Sequence, residues 1–128
     1  MVEVLDLHHA AVNVTDLERA VEFYKTILGL KEIERPNFPF PGAWFALGNR
    51  QLHLMVKPDS RTLRGTTEVH PAEGHFALRV KSYSKALEKV KEAGVPHVAT
   101  PESVTPWPQL HITDPDGNVI ELNAETLD

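Results

Sequence analysis

His9-Ala10-Ala11-Val12-Asn13-Val14 and His75-Phe76-Ala77-Leu78-Arg79-Val80 are two versions of one pattern, a histidine leading an alternating strand, set 66 positions apart. The same offset carries Arg19-Ala20-Val21-Glu22 onto Lys85-Ala86-Leu87-Glu88. Gly48-Asn49 ahead of Gln51-Leu52-His53-Leu54 has its counterpart in Gly117-Asn118 ahead of Val119-Ile120-Glu121-Leu122. A repeat of about half the chain predicts duplication of one supersecondary unit.

Each half reads as a strand, a helix, then further strands. Residues 7–14 alternate in period two, as a half-buried strand does. Thr15-Asp16-Leu17-Glu18 has capping-box spacing, with Thr15 as the cap and Glu18 reaching back. Leu17, Ala20, Val21, Tyr24, Ile27 and Leu28 recur at helical spacing, and Gly29 ends the helix. A second helix follows Val80, carries Ala86, Leu87 and Val90 on one face, and stops near Gly94. Asp114-Pro115-Asp116-Gly117 is a turn between two apolar strands. The expected architecture is α+β. Two tandem β-α-β-β-β modules, residues 5–57 and 74–124, are joined by a polar linker at 58–73 within a single domain spanning 1–128.

Alternate residues of a strand face opposite ways. Ala10, Val12 and Val14 form the apolar face of the first strand and pack on the helices, and His8 falls on that side. His9, Ala11 and Asn13 face away. The same reading turns His53 and Met55, His75 and Arg79, and Glu121 and Asn123 to the face opposite the helices. Any one of these polar residues alone reads as an ordinary strand residue. Four donors in register, two from each half, make His9, His53, His75 and Glu121 a candidate metal site. Three imidazoles and a carboxylate suit Zn, Fe, Ni, Co or Mn, whereas Ca and Mg prefer oxygen. His111 shares its strand face with Gln109 and Thr113 and is expected to line the same cavity. His8, His70 and His97 read as ordinary polar residues.

Composition narrows the partners. The chain of 128 residues contains no cysteine, so disulfides and thiolate ligands are excluded. A formal net charge of −5 argues against nucleic acid, which asks for a basic face. No apolar run is long enough to span a bilayer. Met1-Val2-Glu3-Val4-Leu5-Asp6 lacks the basic start of a signal peptide. The sequence therefore reads as a cytoplasmic protein with neither a nucleic-acid nor a membrane partner.

The segments His9–Tyr24 with Leu28-Gly29, Gly74–Val80 and Thr113–Leu122 resemble the vicinal oxygen chelate superfamily. That superfamily includes glyoxalase I, fosfomycin-resistance proteins, methylmalonyl-CoA epimerase and extradiol dioxygenases. Glu34-Arg35-Pro36, Gly42-Ala43-Trp44 and Leu52-His53-Leu54 are most similar to its glyoxalase-I-like members. The resemblance implies paired modules that form a cup around one divalent metal ion held by His9, His53, His75 and Glu121. It further implies a homodimer in which each site is shared between chains. Two positions depart from glyoxalase I proper, which has a carboxylate at the place of His53 and a glutathione-gripping arginine at the place of Asn13.

The expected function is that of a metal-dependent, glyoxalase-I-like lyase or isomerase. Its small substrate would chelate the metal through adjacent oxygens, with Glu121 as base and His111 as a second acid–base group. Asn13, Trp44, Phe45, Met55, Arg79 and Trp107 are expected to line the substrate pocket, with Phe38 and Phe40 on a loop over it. The alternatives are a ring-cleaving or other dioxygenase of the same superfamily and a non-catalytic small-molecule binding or resistance protein.

Overall fold

Alternation in the first strand, β1 (His9–Val14), resolves into exposed His9 and Ala11 against half-buried Ala10 and Val12, ending in fully buried Val14. The structure is a computed structural model that describes residues 1–128. Helix α1 (Leu17–Thr26) is capped by Asp16, whose side chain accepts from the backbone N–H of Arg19. Thr15, the expected cap, lies one residue too early. Its hydroxyl instead accepts from the Arg19 guanidinium at 3.1 Å. Ala20, Phe23 and Tyr24 form the buried stripe of α1, and Gly29, at φ 64°, turns the chain away from the helix end.

Strands β2 (Lys31–Ile33), β3 (Gly42–Leu47) and β4 (Arg50–Val56) complete the first sheet. The order is β1-β4-β3-β2, with β1 parallel to β4 and the other pairs antiparallel. Leu47 pairs with Arg50, so β3 and β4 are joined by a two-residue hairpin whose Gly48 has a φ of 58°.

The second half repeats the frame. Strand β5 (His75–Arg79), helix α2 (Tyr83–Glu92), and strands β6 (His97–Thr100), β7 (Gln109–Thr113) and β8 (Val119–Asn123) form a sheet of order β5-β8-β7-β6. Strand β5 is parallel to β8. Both helices keep the sequence offset, since Leu17 and Thr26 map onto Tyr83 and Glu92. Ser82 caps α2 through the backbone N–H of Lys85.

The chain forms two compact units, Met1–Ser60 and Arg61–Asp128. The core of the first is built on Val14, Tyr24, Phe45, Leu52 and Leu54, all fully buried. That of the second is built on Leu110, Ile112, Ile120, Leu122 and Val90. Burying each large side chain of this kind contributes roughly 1.5–3 kcal/mol. In the second unit, Thr66 and Thr67 lie against the Asp114 turn. The Thr113 hydroxyl donates to Thr67 O at 2.8 Å, and Arg64 donates to Gly117 O at 2.8 Å. Asp114 is itself buried and accepts from the backbone N–H groups of Asp116 and Asn118.

Candidate metal and acid–base site

Register decides which side chains meet. In the second unit, Glu121 on β8 stands between Ala77 on β5 and His111 on β7. Its row neighbours two residues away are Arg79–Asn123–Gln109 on one side and His75–Val119–Thr113 on the other. Residues two apart share a face, so His75, Arg79, Gln109, His111, Glu121 and Asn123 project together. Small Ala77 leaves room at the centre of this set.

His75, His111 and Glu121 converge, with their ligand atoms all within 4.8 Å of one another. Glu121 Oε1 lies 3.5 Å from His75 Nε2 and 3.4 Å from His111 Nε2. Two donors that each sit about 2.1 Å from one ion stand roughly 3.0–3.4 Å apart, so this spacing fits a shared metal. His75 is prepared for that role, because its Nδ1–H donates to Glu73 O at 2.7 Å. A carbonyl only accepts, so Nδ1 carries a proton, and in the neutral imidazole the Nε2 lone pair faces Glu121. This is the outer-shell arrangement of a metal-ligating histidine.

His111 differs. It is 2% exposed, and its Nδ1 has no hydrogen-bond partner. Burial pulls its pKa below the usual histidine value, against the raising effect of nearby Glu121. Turning the Nε2 lone pair to an ion would leave an Nδ1–H buried without an acceptor, at a cost of about 1–3 kcal/mol. With the proton on Nε2, directed at Glu121 Oε1, only a lone pair is orphaned. The geometry therefore suits His111 to proton transfer and His75 to ligation.

The first unit presents a different arrangement on the matching rows. His53 pairs with Ala11 on β1 and Trp44 on β3, the equivalents of Ala77 and His111 around Glu121. Trp44 stacks on His53 with centroids 3.9 Å apart, and His53 stacks on His9 at 4.1 Å. His53 Nε2–H donates to Gln51 Oε1 at 2.8 Å, which leaves Nδ1 as its free lone pair. Burial, assisted by His9, His8 and Arg35, lowers the His53 pKa to about 4, so this imidazole is neutral at ordinary pH. His8 precedes the strand, is exposed, and meets His9 through a 2.8 Å Nδ1 to Nδ1 hydrogen bond. It does not pack inward as alternation suggests, because β1 begins only at His9.

The remaining expected pocket residues divide. Asn13 and Met55 line a cavity of about 560 Å³ together with Phe40, Lys57 and Asp59. Phe38 stands 6.2 Å from Trp44 and 5.5 Å from Phe40, and the Arg35 guanidinium lies over both phenylalanine rings. Phe45 does not join them. It is fully buried with its ring 6.0 Å from Tyr24 on α1, so alternation assigns Trp44 to the histidine side and Phe45 to the core. In the second unit, Arg79 lies over the Trp107 ring at 6.0 Å. Two polar residues that sequence reasoning placed on this face without a role, Asn123 and Gln109, both donate to Glu121.

This frame and these residues belong to a known class: the chain is a member of the Glyoxalase/Bleomycin resistance protein/Dioxygenase superfamily, whose pattern matches residues 6–122. Among its relatives is Glyoxylase I 4 of Arabidopsis thaliana, 30% identical over 94% of this chain and 72% of that protein. Lactoylglutathione lyase of Escherichia coli O157:H7 is also 30% identical, over 93% of this chain and 92% of that protein. In fold, the chain is similar to a fosfomycin resistance protein from Listeria monocytogenes, with a TM-score of 0.75 at 21% identity over 98% of this chain and 97% of that one. No helix is long and apolar enough to cross a membrane.

Proposed function

We propose that this protein is a divalent-metal-dependent, glyoxalase-I-like lyase or isomerase acting on a small substrate with two adjacent oxygens. The observation that carries the reading is Glu121 Oε1, placed within 3.5 Å of both His75 Nε2 and His111 Nε2. His75 and Glu121 hold the ion together with His9 and His53, and the ion is Zn, Ni, Fe, Co or Mn. When bound, it supplies Lewis acidity that polarises a substrate carbonyl. Glu121, on leaving the ion, would take the proton from the carbon beside that carbonyl through Oε1 and return it to the neighbouring carbon, while the substrate's hydroxyl proton passes to the former carbonyl oxygen, so no oxidant or reductant is needed. His111 Nε2, 3.4 Å away, exchanges a proton with the same oxygen. Trp44, Phe38, Met55 and Asn13 offer a mostly apolar wall with one polar group, as small-molecule pockets do.

The named relatives support lyase chemistry, while Asn13 and His53 turn the substrate away from glutathione adducts. The assembly is a homodimer in which His9 and His53 of one chain complete the site of His75 and Glu121 of the other. The test is elemental analysis of purified protein, followed by exchange of the α-proton of hydroxycarbonyl compounds in deuterated water, read by NMR. Metal-loaded protein that exchanges none of them overturns the isomerase reading. A second reading, an iron-dependent dioxygenase, draws on the two-His, one-carboxylate set His75, His111 and Glu121. It stands behind the first because it asks His111 to bury an unpartnered Nδ1–H. Oxygen consumption with ferrous iron would favour it.

A further inference from the structure

Glu121 is held by two side-chain amides, and each amide is itself oriented from behind. Asn123 Nδ2 donates to Glu121 Oε2 at 2.5 Å, and Arg79 Nε donates to Asn123 Oδ1 at 2.6 Å. Gln109 Nε2 donates to Glu121 Oε1 at the longer distance of 3.2 Å, while the Ser103 hydroxyl donates to Gln109 Oε1. An asparagine amide can face either way, but Arg79 Nε has only a hydrogen to give. It therefore fixes Asn123 Oδ1 toward itself and Nδ2 toward Glu121. The shorter bond occupies Oε2, the oxygen turned from the histidines, and leaves Oε1 facing His75 and His111.

We infer that Arg79 and Asn123 form a positioning relay that makes Glu121 a one-oxygen ligand aimed from Oε1. Arg79 acts only through the Asn123 amide. The inference rests on the proposed metal site and adds a residue outside it. The register explains the arrangement, because Arg79, Asn123 and Gln109 form one cross-strand row directly beside the row of Glu121. The Arg79 guanidinium lies over the Trp107 ring, 6.0 Å from its centroid.

The relay makes a prediction of unusual sign. Arg79 is a cation near a cation site, so Coulomb's law alone says that removing it tightens metal binding. Loss of the relay says that removing it weakens binding, since outer-shell partners typically contribute 10–100-fold in metal affinity. The experiment measures zinc affinity of the full chain by competition with a chromophoric chelator. The panel is wild type, Arg79→Met, Asn123→Leu and the double variant. Arg79 is exposed, so Arg79→Met is compatible with folding, and thermal unfolding of each metal-free protein checks this.

Expected are a loss of roughly 10–100-fold in Asn123→Leu, a smaller loss in Arg79→Met, and a double variant no weaker than Asn123→Leu alone. Such non-additivity is the mark of two residues acting through one interaction. Unchanged or tighter zinc binding by Arg79→Met overturns the relay, as do losses that simply add in the double variant. Wild-type protein that binds no zinc overturns the metal site itself and the relay with it, an outcome distinct from the other two.

Discussion

Replacing Gly117 by alanine tests the turn that feeds β8, and its cost can be worked from the structure. Gly117 has a φ of 84°, where a side chain is strained by roughly 1–2 kcal/mol. Its new Cβ would stand 1.8 Å from Thr66 O, a backbone atom that no rotamer change can move aside. The Thr66-Thr67 segment must withdraw. That breaks the bonds from Thr113 Oγ1 to Thr67 O and from Arg64 to Gly117 O, each contributing about 0.5–1.5 kcal/mol. The sum is about 2–5 kcal/mol, a large part of the 5–15 kcal/mol by which a domain of ordinary stability is folded. Gly65→Ala is the matched control: its φ is 72° and its added Cβ meets nothing within 4 Å, so it carries the strain without the clash. The assay is urea unfolding followed by fluorescence in a Trp44→Phe background, which leaves Trp107 to report on the unit carrying both glycines. If Gly117→Ala costs no more than Gly65→Ala, the packing of Thr66 on the turn does not constrain the fold, and the clash is relieved at no cost.

Further outcomes can be checked. His75→Ala and His53→Ala should each lower metal content measured by elemental analysis, whereas His8→Ala, which alters an exposed residue ahead of β1, should leave it unchanged. Turnover of the glutathione hemithioacetal of methylglyoxal should be negligible, because Asn13 and His53 stand where glyoxalase I has an arginine and a carboxylate. A turnover number within the usual range of about 1–1000 per second would refute that. The Ser82 hydroxyl and the Ser84 backbone N–H hold the Asp128 carboxyl down at about 2, below its ordinary value of 3.8. Its folded pKa is depressed, so its contribution is present above pH 3.8 and is lost as pH falls toward 2. Asp128→Asn should therefore be less stable than wild type in thermal melts at neutral pH and match it near pH 2. Mixing His9→Ala and Glu121→Ala proteins under subunit exchange should restore part of the metal binding, since a mixed dimer with shared sites has one site intact. No recovery would show that each chain builds its own site.

The frame was legible because backbone patterns repeat. The 66-residue offset carries one helix onto the other end for end, whereas the sequence places Trp44 and Phe45 both in the pocket and only the burial of Phe45 separates them. What alternation cannot supply is the neighbour across a sheet. That His111 stands opposite Glu121, and Asn123 opposite both Arg79 and Gln109, depends on how β5 and β7 register with β8. That register is set by turns and packing over the whole unit. The amide directions around Glu121 lie further out of reach, because they depend on which partner has only hydrogens to give. Local choices between similar side chains were also hard to read. Thr15 and Asp16 both carry an oxygen able to cap α1, and one residue of phase decided between them.

The hydrogen bonds of a sheet are made by backbone and are largely indifferent to the side chains they carry. The row Ala11–His53–Trp44 and the row Ala77–Glu121–His111 are therefore one address with different occupants. Duplication of such a unit hands on the address intact. Later substitutions can then change the occupants of one half without changing its strands. An aromatic stack in the first half and a histidine–carboxylate pair in the second are two sets of occupants of that one address. The same property invites transplantation, since the central residue of either row can be exchanged without redrawing a strand.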